Sequence, residues 1–330
     1  PVLVERFRAI VRGLLREPWL QSTRSRRGRL ERARFCAVIA SAQSTLRCNL
    51  ARMALTQSVA FIGGGNMATA LIHGLLETHT ARAEQLLVSD VRPEGLEHLR
   101  QRYDVATTND NRSACTRDVV VLSVKPQTFA ALLPEIAPHI GEQRLVISIA
   151  AGVPLQAIEQ CLPKARVVRA MPNTPALVSE GATALAAGAR ATADDLALAT
   201  SIFASVGRVV QVDDAHMDAV TALSGSGPAY VFLLAEALAR AGAELGLDPQ
   251  TAAVLAAQTL YGAGKLLVQS SEAPSELRRK VTSPGGTTAA GIGVLESHHF
   301  ANTIAACLRA ACLRGRELGE AAADALKAQS

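Results

Sequence analysis

The stretch Val59-Ala60-Phe61-Ile62-Gly63-Gly64-Gly65-Asn66-Met67-Ala68-Thr69-Ala70 limits what this chain can fold into more than any other. An apolar run ends in three glycines and passes straight into helix-forming residues. That order spells a strand, a tight turn and a helix N-terminus. The first glycine turns sharply, the second lets backbone approach a pyrophosphate, and the free N–H groups of the helix start point at it. Gly63-x-Gly65-x-x-Ala68 fits the dinucleotide-binding fingerprint with alanine in the last slot.

The chain after Ser58 alternates in the way this turn requires. Leu86–Asp90, Val119–Val124, Leu145–Ile149, Val167–Ala170 and Arg208–Val212 read as further strands. Val119-Val120-Val121-Leu122 is a continuous apolar run, as expected of a strand covered on both faces. Helical patterns lie between, at Pro93–Arg102, Phe129–Ile136, Leu155–Cys161 and Asp194–Ser205. The expectation is an α/β Rossmann-like, doubly wound, mainly parallel sheet over residues 58–212. From about His216 the strand signal stops. Ala229–Leu245, Thr251–Val268 and Asn302–Ala323 read as long Ala/Leu helices, so residues 213–330 form an all-α half. Helices with so little charge on several faces call for a partner, and oligomerisation is expected.

Charge separates the first 57 residues from the rest. Twelve arginines meet three glutamates there, whereas the remainder carries more acid than base, so the overall balance of +5 belongs to the leader. A nucleic-acid-binding body is not supported, and aromatics at 3% are too few for base-stacking platforms. The leader itself reads as a disordered or non-native appendage. An organelle transit peptide or a basic tail are the other readings of an Arg-rich, acid-poor segment. Met53 stands six residues before the first strand. No uninterrupted run of eighteen apolar residues occurs, and no membrane span is expected. The six cysteines have neither C-x-x-C nor zinc spacing, so no metal is expected. They suit reduced thiols in a cytoplasmic protein.

Several short motifs fall where such a sheet binds ligands, at the C-terminal ends of its strands. Asp90 could accept hydrogen bonds from ribose hydroxyls, which favours NAD, and Arg92 could pair with a 2′-phosphate, which favours NADP; both choices stay open. Ser123-Val124-Lys125-Pro126 and Ala150-Ala151-Gly152 leave strands at the same edge. In Met171-Pro172-Asn173-Thr174-Pro175, two prolines hold a rigid loop from which Asn173 could be aimed at a ligand. Ser224-Gly225-Ser226-Gly227-Pro228 reads as a close helix crossing, with Pro228 in a first turn. Thr282-Ser283-Pro284-Gly285-Gly286-Thr287-Thr288 is the best substrate candidate: free N–H groups at the following helix start can hold a carboxylate, and two hydroxyls donate and accept.

Taken together, these motifs resemble the pyrroline-5-carboxylate reductase family, which makes the last step of proline synthesis. The resemblance rests on Phe61–Met67, Val124-Lys125-Pro126, Ala150-Ala151-Gly152-Val153, Met171–Pro175, Ser224–Tyr230 and Ser283–Thr288, in family order over residues 58–318. It implies a Rossmann domain followed by a helical dimerisation domain, with homodimers often assembling into a decamer. NADPH is the implied hydride donor, with NADH as the alternative. Cofactor contacts are expected at Ile62, Gly63, Gly64, Gly65, Asn66, Met67, Asp90, Arg92, Ser123, Val124, Lys125, Pro126, Ala150, Ala151 and Asn173, with the loop of Asn109, Asp110 and Asn111 close by. The family places substrate at Ser283, Gly285, Gly286, Thr287 and Thr288, with Thr288 aimed at the ring nitrogen, and puts an acid near Asp214.

The implied substrate is a five-membered cyclic imine bearing a carboxylate. Once protonated, its C=N bond is already a strong electrophile, so placing two rings face to face supplies most of the rate. A site of hydroxyls and main-chain N–H groups, without an obvious His or Glu acid, suits that demand. A related reductase of other cyclic imines, or of keto or hydroxy acids, is the rival expectation.

Overall fold

The computed structural model of the chain describes residues 54–327. Nearly all of the basic leader, with Cys36, Cys48 and Met53, lies outside the described residues. Among those described, eight strands form one sheet in the order β3-β2-β1-β4-β5-β6-β7-β8. They are β1 (Val59–Ile62), β2 (Leu86–Ser89), β3 (Ala106–Thr108), β4 (Val119–Leu122), β5 (Leu145–Ser148), β6 (Arg166–Met171), β7 (Gly181–Ala187) and β8 (Gly207–Gln211). Neighbours run parallel except β6 and β7. Chain order reverses between β1 and β4, and the two strand ends at that switch point make a crevice.

Helices α1 (Asn66–Glu77), α2 (Pro93–Tyr103), α3 (Asn111–Ala114), α4 (Phe129–Ile136), α5 (Leu155–Cys161) and α6 (Ala193–Ala204) link the strands. Period-two alternation divides the sheet into two cores. Val59, Phe61, Val119 and Val121 face one layer with Leu71 and Phe203. Ala60, Ile62, Val120 and Leu122 face the other with Phe129 and Leu133. These side chains are fully or almost fully buried, and each large one contributes about 1.5–3 kcal/mol of transfer free energy. Pro93 opens α2, and Asp104, in left-handed backbone at φ 55°, ends it. Two strands depart from the sequence expectation. Three-residue β3 is too short to show a period, and β7, Gly181-Ala182-Thr183-Ala184-Leu185-Ala186-Ala187, is mostly alanine and leucine, which favour helix.

The helical half follows β8: α7 (Met217–Val220), a π-helical turn (Thr221–Gly225), α8 (Gly227–Glu244), α9 (Pro249–Gln269), α10 (Pro274–Lys280), α11 (Thr287–Ser297) and α12 (Phe300–Lys327). The end of α12 returns to the sheet half, packs on α4 and α5, and buries Leu326. Much of the apolar surface of α8 and α9 is exposed, including Phe232 at 62% and Leu233 at 65%. By length and composition alone, Asp214–Glu244 and α9 are long and apolar enough to cross a membrane. The absence of an uninterrupted apolar run in the sequence therefore does not decide that question. The exposed apolar surface requires some cover.

Candidate active site

The crevice is built on the glycine turn. Gly63 has φ 102°, and a Cβ there would lie 2.7 Å from the Ser123 carbonyl oxygen, so a side chain is excluded by both torsion and space. Ser123 fastens the turn: its hydroxyl donates to the Gly63 and Ile62 carbonyls at 2.6 and 3.1 Å. Gly65 then serves as the N-cap of α1 with no side-chain cap. The N–H groups of Asn66, Met67 and Ala68 thus have no partner inside the helix, and Gly65 has open space above its Cα. A pyrophosphate fits this cradle, where helix dipole and orphan donors act together.

At the end of β2, Asp90 accepts from the Gly64 N–H at 2.7 Å. Its two oxygens also take the Arg92 guanidinium at 3.0 and 3.1 Å and the Arg92 N–H at 2.9 Å. Burial works to raise the Asp90 pKa, but the bonds from the Arg92 side chain, Gly64 and the Arg92 main chain outweigh it and hold the carboxyl below its ordinary value. The acid and the base that pointed to different cofactors form one pair here. Ser89 donates to Asn111 at 2.7 Å, which brings the Asn109–Asn111 loop against the same strand end.

The other expected cofactor residues line the same edge. Val124 packs against Gly63, and the exposed Lys125 precedes the one-turn helix opened by Pro126. Ala150 is buried, Ala151 is exposed, and Gly152, at φ 80°, abuts Gly315 and Gly319 of α12. The Asn173 side chain, by contrast, is committed to protein. Its Nδ2 donates to the Ser224 carbonyl and hydroxyl, each at 3.2 Å, and its Oδ1 accepts from the Ala182 N–H at 2.8 Å.

The substrate candidate lies on the helical half. Gly285 turns the chain at φ 69°, Ser283 folds over Gly286, and the Gly286 N–H donates to the Ser283 carbonyl at 3.1 Å. Gly286 is the N-cap of α11, again with no side-chain cap, so the N–H groups of Thr287, Thr288 and Ala289 are free. Thr288 is exposed, and the bend's hydrogen bonds are all local. Asp214, the expected acid, is engaged elsewhere: Oδ1 accepts from Arg169 at 2.8 Å, and Oδ2 from the Leu155 N–H at 3.3 Å. Sequence reasoning missed Arg169. A charged residue within the buried run Val167–Ala170 was the available signal, because a buried guanidinium demands a carboxylate.

No group of three or more His, Cys, Asp or Glu suited to a metal occurs among the described residues. Cys115 is buried, and burial above all pushes its thiol up to about 11, so it is inert at neutral pH.

A family model described as pyrroline-5-carboxylate reductase dimerisation matches residues 214–318, and one described as NADP oxidoreductase coenzyme F420-dependent matches residues 58–152. The pyrroline-5-carboxylate reductase of Synechocystis is 44% identical over 260 residues, covering 78% of this chain and 97% of that protein. The solved structure of a pyrroline-5-carboxylate reductase from Coxiella burnetii superposes with a TM-score of 0.77 at 40% identity, covering 80% of this chain and 99% of that one. The Plasmodium falciparum pyrroline carboxylate reductase structure, with NADP bound, gives a TM-score of 0.72 at 29% identity, with 81% and 99% covered. Identity of this depth across nearly the whole length of the relatives, together with the matched dimerisation region, means that the chain belongs to the pyrroline-5-carboxylate reductase family.

Proposed function

We propose that this chain, an NAD(P)H-dependent oxidoreductase, carries out the reaction of its family at a site shared between two copies. It reduces the C=N bond of 1-pyrroline-5-carboxylate to give proline. The cofactor, when bound, supplies the hydride. The chain's residues supply grip and aim. The orphan N–H groups of Asn66, Met67 and Ala68 hold the pyrophosphate, and the edge formed by Ser123–Pro126 and Ala150-Ala151 supports the nicotinamide half. The free N–H groups of Thr287 and Ala289 hold the substrate carboxylate at the positive end of α11. The Thr288 hydroxyl fixes the ring nitrogen, and the protonated imine needs no stronger acid.

One observation carries this reading. The chain presents two uncapped helix starts after glycine bends, one at the sheet crevice and one on an exposed bend of the dimerisation region. Each suits one anionic partner of a two-substrate reaction. The exposure of Ser283–Thr288 supports a further step: the bend of one subunit closes on the cofactor edge of its partner. The apolar faces of α8 and α9 are then covered by the second copy rather than by lipid, and the protein works in the cytoplasm as a homodimer that can build a decamer. Asp214 acts at the junction of the two halves rather than on substrate.

The test follows reduced-cofactor absorbance in the presence of pyrroline-5-carboxylate, piperideine-carboxylate and a panel of keto acids, each with NADPH and NADH. Turnover confined to the cyclic imines, strongest with pyrroline-5-carboxylate, is expected. Turnover of keto acids alone refutes the reading.

A further inference from the structure

The loop that ends β6 and the π turn that begins the dimerisation helices are joined by one side chain. Asn173 lies 51 positions from Ser224, yet its amide donates to both the carbonyl and the hydroxyl of that residue. Its oxygen is bound in turn to the start of β7 through the Ala182 N–H. Across the same contact, Gly225 sits so close to the Met171 methyl that a Cβ would collide with it. The turn itself is unusual: the Ser226 N–H reaches back five residues to the Thr221 carbonyl at 2.8 Å, where an α-helix reaches four. Such turns are rare, occur mostly as single insertions, and recur at functional sites. This one is held by Asn173. A groove of about 510 Å³ opens beside it, lined by Asn173, Pro175, Ser224, Pro228 and Tyr230.

We propose that Asn173 is a positioning residue: its amide latches the π turn to the cofactor edge and so sets where the dimerisation helices present substrate to the hydride donor. Asn173 touches neither cofactor nor substrate in this assignment. The inference rests on the reductase reading above. A displacement of about 1 Å between reacting rings costs up to a hundredfold in rate, so a latch of two hydrogen bonds is enough to matter.

Asn173→Asp tests it, because aspartate keeps the acceptor for Ala182 and loses both donors to Ser224. The latch predicts a fall in kcat of about tenfold or more. The dissociation constant for NADPH, measured by fluorescence without substrate, should stay within about twofold, and the dimer should persist in sedimentation. Hydrogen–deuterium exchange over Thr221–Ser226 should speed up. Asn173→Ala, which removes the amide donors without adding charge, carries the same readouts if the aspartate variant does not fold. Unchanged kcat with unchanged exchange overturns the proposal. Equal losses in kcat and cofactor affinity overturn it too, by making Asn173 a direct cofactor contact. Failure of both variants to fold makes the residue structural and also overturns it. If the wild-type protein does not reduce the imine, the reductase reading fails, while the exchange result still decides whether Asn173 holds the turn.

Discussion

The sheet half and the helical half of this protein are built from similar amounts of apolar sequence and end in opposite states. Strands β1, β4 and β5 are buried at every residue, and two hydrophobic layers close over them from helices of the same chain. The long helices α8 and α9 bury only Ala252 and Ala256 and leave Phe232, Leu233, Val254 and Leu255 exposed. Composition alone does not determine a core; geometry does. A doubly wound sheet covers its own faces, because each crossover lays a helix back on it. Two antiparallel helices and their neighbours leave outer faces with nothing of their own chain to meet. The half that carries the glycine turn closes its core within one chain, and the dimerisation half leaves its apolar faces for a second copy.

Charge placed on the unfinished surface should have the largest effect. Phe232→Glu should leave a monomer in sedimentation, reduce turnover by more than about a hundredfold, and preserve cofactor binding, since a buried unpaired carboxylate costs several kcal/mol per interface. Gly63→Val should do the reverse. Left-handed torsion and the approach of the Ser123 carbonyl forbid the side chain. Cofactor affinity should fall about a hundredfold while the dimer persists, with strain of about 1–3 kcal/mol lowering the melting temperature. Thr288→Ala should lower turnover by about 10–100-fold and leave cofactor affinity within about twofold, as expected when a group acts on the reacting ring and not on the cofactor. Loss of cofactor binding in that variant would place the bend in the wrong half of the comparison.

The smallest effects should come from the pair at the ribose end. Arg92→Ala should change the NADPH to NADH preference a few-fold, read from the two dissociation constants. The carboxyl of Asp90 is held below its ordinary value, so its contribution to stability is present above about pH 4 and is lost as pH falls through the folded-state value. Melting curves of wild type and Asp90→Asn should therefore converge in acid and separate above it.

The sequence revealed the local parts of this molecule and concealed the distant ones. The glycine turn, the continuous run of β4 and the proline-opened helices are written in adjacent residues, and each formed where expected. Strand β7 was illegible because alanine-rich residues become a strand only between β6 and β8, a preference set by the tertiary slot and not by the residues. The same limit applies to the site. The free N–H groups at Gly65 and Gly286 follow from bends readable in sequence. The contacts Asn173–Ser224 and Asp214–Arg169 join residues 51 and 45 positions apart, and no local pattern announces them. Ligand roles were expected for Asn173 and Asp214, and the geometry adds contacts by which both side chains link the two halves.

Hybrid dimers test the division of labour most directly. Gly63→Val subunits, with a sound substrate bend and a broken cradle, are mixed with Thr288→Ala subunits, with a sound cradle and an impaired bend, under conditions that exchange subunits. If the bend of one copy serves the cradle of the other, each hybrid contains one intact site, and imine reduction should rise well above that of either parent. If activity stays at the sum of the two impaired parents although sedimentation and mass spectrometry show that hybrids have formed, both elements belong to the same chain and the shared site is wrong.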